Sequence, residues 1–343
     1  MARSTVVVIV PCRDEQAFIG ACLESLMKQT YPASLIEIVV ADGNSTDGTL
    51  TIVEQYRARD NRIRFVHNTK RSAASGLNRA ISSTTAQVVI RVDAHSVVED
   101  DFVEQSVKLL QDHPEAWCVG GPIVHVGQGA MGRAVAIAMA HPFGVGNAKH
   151  RFADYAGYAE AAATPVFWRT TLDRLGMFDE QFVRNEDDDL NLRISEYGGV
   201  TYVSPAVRYK YWVREQLNSL FRQYQQYGYW KLAVVRKHRR PVSLRMFAPL
   251  LLVLATVASI ASWVMELPAS ASVLGIPLVI YGIAMGVAVL SAARGQTFGG
   301  LVRLAGAFGA MHLGYGVGFG YALIRWCVGL SDHVPARMTA LTR

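Results

Sequence analysis

The sequence predicts an α/β domain with a mostly parallel sheet, followed by an apolar helical region. Three observations predict it. Short β-branched runs alternate with segments of helical periodicity across residues 5–112, polar clusters fall where those runs end, and the apolar residues, 51% of the 343, gather toward the C-terminus.

Residues 5–10 are a β-branched run ending at Pro11, and residues 15–29 then place Phe18, Ile19, Cys22, Leu23 and Leu26 at helical spacing. Residues 36–41 read as a second strand, the turn Asp42-Gly43-Asn44-Ser45-Thr46 follows, and 47–59 reads as a helix. A third strand over 63–67 leads to a helix over 72–83, and a fourth over 88–92 to a helix over 101–112. Repeated strand-helix units build parallel sheets covered by helices, and such sheets bind ligands at the carboxyl ends of their strands. Residues 11–15, Asp42-Gly43 and Asp93-Ala94-His95 all fall there. The first turn lacks a GxGxxG, which argues against a dinucleotide-dependent dehydrogenase and leaves any phosphate to a metal and basic groups.

Asp93 and His95 stand two residues apart just past a strand, so both can face one divalent cation from the same side of extended chain. Such a cation can carry a diphosphate. Further along, Glu186-Asp187-Asp188-Asp189 offers a carboxylate able to deprotonate an attacking hydroxyl, and the two clusters together sketch metal-assisted group transfer from a nucleotide. Each has a plainer reading alone: a strand-end Asp is often a turn residue, and an acidic run is often a solvated face. Their combination with the strand-helix alternation carries the argument.

Residues 246–265, 273–293 and 304–326 are apolar stretches, each near the roughly 20 residues that cross about 30 Å of hydrocarbon, which predicts about three spans; buried core helices are the alternative. The expected division is a cytosolic domain over 1–235 and a basic juxtamembrane segment with its spans over 236–343. Part of the net charge of +6 sits in Arg236-Lys237-His238-Arg239-Arg240 and Arg245, immediately before the first stretch. In that place it marks the cytoplasmic side and anionic headgroups rather than nucleic acid. Residues 266–272 have no Lys or Arg, whereas the next connection carries Arg294 and Arg303. Three spans put the tail outside, and Arg325, Arg337 and Arg343 argue against that placement.

No cleavable signal peptide is expected at the start, and Cys12, Cys22, Cys118 and Cys327 lack zinc-ligand spacing and suit a reducing compartment. Residues 130–146 are apolar but short and broken by Pro142, which reads as an interfacial, acceptor-cradling helix or as plain core. Residues 212–230 are amphipathic and polar-aromatic. Gly314, Gly316, Gly318 and Gly320 give GxxxG spacings that let helices approach closely, while His312 and Tyr315 face either an acceptor head group or an interhelical hydrogen bond.

In order and spacing, Val8-Ile9-Val10-Pro11-Cys12-Arg13-Asp14-Glu15, Ala41-Asp42-Gly43-Asn44-Ser45-Thr46-Asp47-Gly48-Thr49, Asp93-Ala94-His95 and Asn185-Glu186-Asp187-Asp188-Asp189-Leu190-Asn191-Leu192-Arg193 resemble the family 2 glycosyltransferases of GT-A fold, a Rossmann-like nucleotide-sugar-binding architecture. The resemblance spans roughly residues 5–230. The DAH form of the usual DXD motif, Phe143-Gly144-Val145-Gly146-Asn147, Arg184-Asn185-Glu186-Asp187 and Gln223-Tyr224-Gln225-Gln226-Tyr227-Gly228 are similar to the membrane-bound ExoA-type succinoglycan-biosynthesis glucosyltransferases.

The resemblance implies a nucleotide-sugar site of Pro11, Arg13, Glu15, Asp42, Asp93, Gln226 and Trp230, with Pro11 and Glu15 bordering the nucleoside and Asp42 accepting a hydrogen bond from uracil. It implies Asp93 and His95 as the metal motif, Asp187 as catalytic base, and Glu186 beside it holding acceptor or loop. The cofactor is then Mn²⁺ or Mg²⁺, and the imidazole favours Mn²⁺. The family inverts the anomeric centre. Processive members carry QxxRW, whereas Gln226-Tyr227-Gly228-Tyr229-Trp230 has Tyr229 in the place of Arg, which points to a non-processive enzyme.

The expected activity is transfer of a sugar, glucose by the resemblance, from UDP-sugar to a polyprenyl-diphosphate-linked oligosaccharide in exopolysaccharide or other cell-surface glycan synthesis. The expected setting is a bacterial-type inner membrane, with a multi-pass chain whose catalytic domain faces the cytoplasm, membrane lipid as a partner and no nucleic acid. Transfer onto polyprenyl phosphate itself, and a non-catalytic scaffold of a glycan-assembly complex, are the competing readings.

Overall fold

The structure, a computed structural model, describes residues 3–241, 243–265, 274–330 and 333–342. The connection over 266–272, the first residue of the second apolar stretch and Arg343 lie outside the described residues. The chain divides into two compact units, one of residues 1–124 and 148–212, the other of 125–147 and 213–343. The division falls near residue 213, and residues 125–147 group with the helical unit. The physical reason lies in the packing of the helix over 217–238, described below.

In the first unit the elements run β1 (Val6–Cys12), α1 (Ile19–Met27), β2 (Ile36–Asp42), α2 (Thr49–Arg59), β3 (Ile63–His67), α3 (Ala73–Ser82), β4 (Val88–Arg91), β5 (Ser96–Val98), α4 (Phe102–Asp112) and β6 (Ala116–Gly120). After β7 (Val124–Val126), α5 (Gly129–Ala140) and α6 (Pro142–Val145) come β8 (Gly157–Ala159), β9 (Val166–Trp168), α7 (Arg169–Leu175), α8 (Glu186–Glu196), β10 (Val200–Val203) and β11 (Tyr209–Trp212). Every expected strand and helix up to residue 112 is present within a few residues.

An eight-stranded sheet has the order β3-β2-β1-β4-β9-β6-β10-β8. β1 to β4 are mutually parallel, as is the pair β6 and β10, while β9 and β8 join antiparallel. Both faces are covered. Val6, Val8 and Val10 pack with Leu23, Leu26 and Phe102 on one face, and Val7, Ile9 and Val39 with Leu77, Ile81 and Leu172 on the other. The period-2 alternation of a strand sends successive valines to opposite sides, and a sheet buried on both sides accepts the continuous apolar run that β1 presents. Each fully buried aliphatic side chain contributes about 1.5–3 kcal/mol over exposure.

In the second unit the expected apolar segment over 130–146 is two helices, because Pro142 starts α6 and leaves His141 extended at ψ 138°. It is followed by α9 (Leu217–His238), α10 (Ala248–Val264), α11 (Ile276–Ser291) and α12 (Phe298–Cys327). Residues Leu244–Val264 form a helical stretch long and apolar enough to cross a membrane. α11 is shorter, at 16 residues, and α12 is 30 residues long but rich in glycine and carries His312. α10 and α11 leave Leu251, Leu254, Val257, Ile260, Val279, Ile283 and Val287 exposed.

α9 packs along α12 through glycines. A Cβ at Gly314 or Gly318 would run into the carbonyl oxygens of Phe221 and Gln225, and one at Gly228 into that of Tyr315. The close approach expected of the glycine-rich stretch is thus made with α9 through Gly314 and Gly318 and with α10 through Gly316, where a Cβ would run into the Pro249 carbonyl oxygen. His312 makes interhelical hydrogen bonds, donating from Nε2 to the Phe143 carbonyl at 2.9 Å and accepting at Nδ1 from the Tyr281 hydroxyl at 3.0 Å.

Candidate active site

The first unit brings its polar clusters together at the carboxyl ends of β1, β2 and β4. The loop after β1 and the turn after β2 are tied to each other. Asp14 N donates to Ser45 Oγ at 2.9 Å, Thr46 N to Asp14 Oδ1 at 2.6 Å, Glu15 N to Thr49 Oγ1 at 2.8 Å, and Gly48 N to Gln16 Oε1 at 2.9 Å. Asp14 and Asn44 hold left-handed backbone at φ 53° and 59°, which Asp and Asn tolerate better than most residues. The two loops therefore form one cross-braced rim. Pro11 lies inside β1, opposite Ala41 of β2, and Arg13 stands beside Asp14 at 4.0 Å.

Asp42 is fully buried, and both its oxygens accept from Ser45, one of them from the hydroxyl at 2.5 Å. Its carboxylate closes the turn on itself. Glu15 is also mostly buried, and its Oε1 lies 2.9 Å from His95 Nδ1. A carboxylate oxygen only accepts, so Nδ1 carries a proton, and in a neutral imidazole that tautomer puts the lone pair on Nε2. This is the outer-shell pattern that orients metal-binding histidines. Glu15, expected beside the nucleoside, is thus engaged in holding the imidazole, which also meets the Tyr211 ring edge-on at a centroid distance of 4.7 Å.

The acidic run at the start of α8 is sorted by its partners. Glu186, 5% exposed, accepts from Arg91 Nη1 at 3.1 Å; Asp188 accepts from Asn185 Nδ2 at 2.7 Å; Asp189, fully buried, pairs with Arg193 at 2.7 Å. Asp187 is the exposed member of the four. All four lie in the first helical turn, where the unpaired N–H groups and the helix dipole favour negative charge.

Arg91 joins the two clusters that the sequence shows far apart. Its Nε donates to Asp93 Oδ1 at 3.0 Å while its Nη1 reaches Glu186, so one guanidinium at the end of β4 bridges the strand-end motif and the start of α8. Burial works against its charge, but Asp93, Glu186 and Asp187 outweigh it and hold the guanidinium protonated. Sequence reading missed this residue. The signal was a lone charge inside the apolar run Val88-Val89-Ile90-Arg91-Val92, where an unpaired Arg is rarely buried.

Gln226 and Trp230 lie on α9 in the second unit. Gln226 Nε2 donates to the carbonyls of Arg337 and Ala340 at 3.0 and 2.8 Å, and Trp230 Nε1 to that of Met338 at 2.9 Å. Their donors, expected on a nucleotide sugar, are engaged with the C-terminal segment. Tyr229 is buried beside Trp230 and Tyr321.

Among the described residues no group of three or more His, Cys, Asp or Glu is assembled to hold a metal. Asp93 and His95 alone suit a cation of the Mg²⁺ or Mn²⁺ kind, which is often bound by one or two protein donors and completed by substrate phosphates.

Residues 7–152 match the family described as Glycosyl transferase family 2. The chain is 29% identical over 334 residues to the succinoglycan biosynthesis protein ExoA of Rhizobium meliloti (strain 1021), covering 93% of this chain and 95% of that one. It is 25% identical over 240 residues to the dolichyl N-acetyl-alpha-D-glucosaminyl phosphate 3-beta-D-2,3-diacetamido-2,3-dideoxy-beta-D-glucuronosyltransferase of Methanococcus voltae, covering 67% and 74%. The mannosyltransferase PcManGT from Pyrobaculum calidifontis, solved in complex with GDP-Man and Mn²⁺, superposes with a TM-score of 0.55 at 22% identity, covering 97% of this chain and 89% of that one, which shows the fold. With its sheet order, its motif order and these likenesses, the chain carries a match to glycosyl transferase family 2 over residues 7–152 and is similar to ExoA along nearly its whole length.

Proposed function

We propose that this glycosyltransferase is an inverting, metal-dependent and non-processive enzyme that moves one sugar from a UDP-sugar to a polyprenyl-diphosphate-linked oligosaccharide at a membrane surface. The observation that carries the reading is Arg91, whose bridge ties the Asp93 motif to the helix start that exposes Asp187. A donor held at one and an acceptor approached by the other then meet at one sheet edge.

The acceptor hydroxyl gives its proton to Asp187 as its oxygen attacks the anomeric carbon. A bond forms from that oxygen to the sugar, and the bond from the sugar to the diphosphate breaks on the opposite face. Attack from behind turns an α-linked donor into a β-glycoside. A divalent cation, when bound, would supply counter-charge to the departing diphosphate without proton transfer. Asp93 and His95 Nε2 would hold it, with Glu15 fixing the imidazole and Arg13 adding positive charge at the rim. Asp42 serves by shaping the turn that borders the nucleoside. Glu186 fixes the helix start on Arg91, which positions its neighbour.

Membrane residence is supported by the exposed apolar faces of α10 and α11, since soluble surfaces seldom carry such continuous apolar area. A lipid-linked acceptor is supported by the name of the Methanococcus relative, which specifies a dolichyl sugar phosphate, and exopolysaccharide synthesis by that of the Rhizobium relative. The test is to incubate the purified full-length protein in bilayers with a panel of UDP- and GDP-sugars and bacterial lipid extract, then identify the product. A β-linked sugar on a lipid-linked oligosaccharide from a UDP donor is expected. Transfer onto polyprenyl phosphate itself, or turnover only with GDP-sugars, would replace this reading.

A further inference from the structure

The helical unit contains a pairing that a chain of three simple spans does not produce. α9 and α12 run parallel, because their contacts rise in number together. Leu217 lies against Gly306, Phe221 against Gly314, Gln225 against Gly318, and Arg236 over the Trp326 ring at 5.7 Å. At 1.5 Å per residue, that register extends for about 30 Å. Whatever depth α12 occupies, α9 shares it. Yet α9 carries Arg222, exposed, together with Lys231, Arg236 and Lys237, and it buries Gln223, Gln225 and Gln226. A helix of that composition is costly to thread through hydrocarbon.

The C-terminal segment points the same way. It folds back on α9, where Trp230 and Gln226 hold the carbonyls of Met338, Arg337 and Ala340, and Arg214 Nη2 donates to Thr342 Oγ1 at 3.0 Å. Arg325 caps the end of α12 on the carbonyls of Leu330 and His333. Irregular backbone and arginines of this kind belong at a wetted surface. The charges agree. Arg294 and Arg303 sit at the start of α12, Arg325 and Arg337 at and after its end, and residues 236–245 precede α10, whereas residues 266–273 hold no Lys or Arg in sequence.

On the reading that this protein resides in a membrane, we propose that only α10 and α11 enter the bilayer, as a hairpin. α12 lies beside α9 at the anionic headgroup surface on the glycosyltransferase side, and the C-terminus stays on that side. The exposed stripe of α12, Val302, Leu313, Val317, Tyr321 and Ile324, dips into the acyl boundary as interfacial helices do. Both flanks of α12 then face the leaflet that attracts Lys and Arg, and the tail braces the helix that leads into the hairpin.

Cys327 is a native reporter at the end of α12, being exposed where Cys12, Cys22 and Cys118 are buried. Full-length protein in bacterial membranes is treated with a membrane-impermeant maleimide in spheroplasts and in inverted vesicles, with Leu341→Cys as a second position. C-terminal fusions to green fluorescent protein and to alkaline phosphatase are read in parallel. The expected result is modification at least ten-fold faster in inverted vesicles, a fluorescent fusion and an inactive phosphatase. Faster modification in spheroplasts, or an active phosphatase, overturns the hairpin and restores a crossing α12. Release of the whole protein from membranes by alkaline carbonate would instead overturn the membrane reading on which the hairpin rests.

Discussion

Replacing Arg91 by Ala removes the guanidinium that holds Asp93 and Glu186 together. The side chain is 16% exposed, and its partners are 29% and 7% exposed, so the carboxylates lose a mostly buried counter-charge. Breaking a buried ion pair by deleting one partner costs about 3–5 kcal/mol, and the partial exposure of Asp93 argues for the lower end. In a folding unit of some 150–250 residues, each kcal/mol moves the melting temperature by about 2–4 °C, so about 3 kcal/mol lowers it by about 6–12 °C. The assay is thermal unfolding of the full-length protein in detergent, together with kcat and donor KM measured well below the transition. Arg91→Lys keeps the charge but not the fork, so it meets one carboxylate at a time and recovers about half of the lost stability. If Arg91→Ala melts within about 2 °C of the parent and turns over normally, the bridge is not what joins the two clusters. A large drop in melting temperature with unchanged kcat and donor KM would leave Arg91 structural and remove its positioning role.

Asp187→Asn keeps the shape of an exposed helix-start residue and removes the proposed base, so transfer falls by about 10² to 10⁴ while UDP binding persists; parental turnover at saturating donor would move the base to another residue of that turn. Asp93→Ala weakens UDP-sugar binding measured calorimetrically with Mn²⁺ present, and chelation of the parent protein reproduces the loss; full activity in EDTA removes the metal from the reaction. Asp60 accepts from Arg62 at 2.6 Å, which holds its pKa below the ordinary value, so its stabilising share is complete above the unfolded pKa of about 3.9 and is lost as pH falls through the folded one. Asp60→Asn therefore lowers the melting temperature at pH 7, and the gap from the parent closes below about pH 4; a constant gap across that window would show the pair contributes nothing through its charge.

How legible the site was depended on whether a residue's partners were near it in sequence. The strand-end clusters at Pro11, Asp42 and Asp93 were readable because a parallel strand delivers its carboxyl end to the same edge every time. The Glu15 to His95 hydrogen bond was not, since it joins the first loop to the fourth strand across 80 residues. Neither was the sorting of Glu186 to Asp189, which look alike as a run of acids, whereas in the fold Glu186 meets Arg91, Asp188 meets Asn185, Asp189 meets Arg193 and Asp187 is the exposed one. The Gln226 and Trp230 motif likewise reads as a substrate contact in sequence, and in the fold it holds the returning tail.

By itself the sequence determined the alternation of strands and helices, the edge where the polar clusters gather and the apolar character of the C-terminal third. Those features follow from local periodicity and composition, which each short segment carries alone. Tertiary structure decided that Arg91 unites two distant acidic clusters, that Asp187 is the exposed carboxylate of its run, and that α12 packs along polar α9 through its glycines. These depend on which side chains and carbonyls meet across long separations, and a pattern of hydrophobicity along the chain does not contain that information.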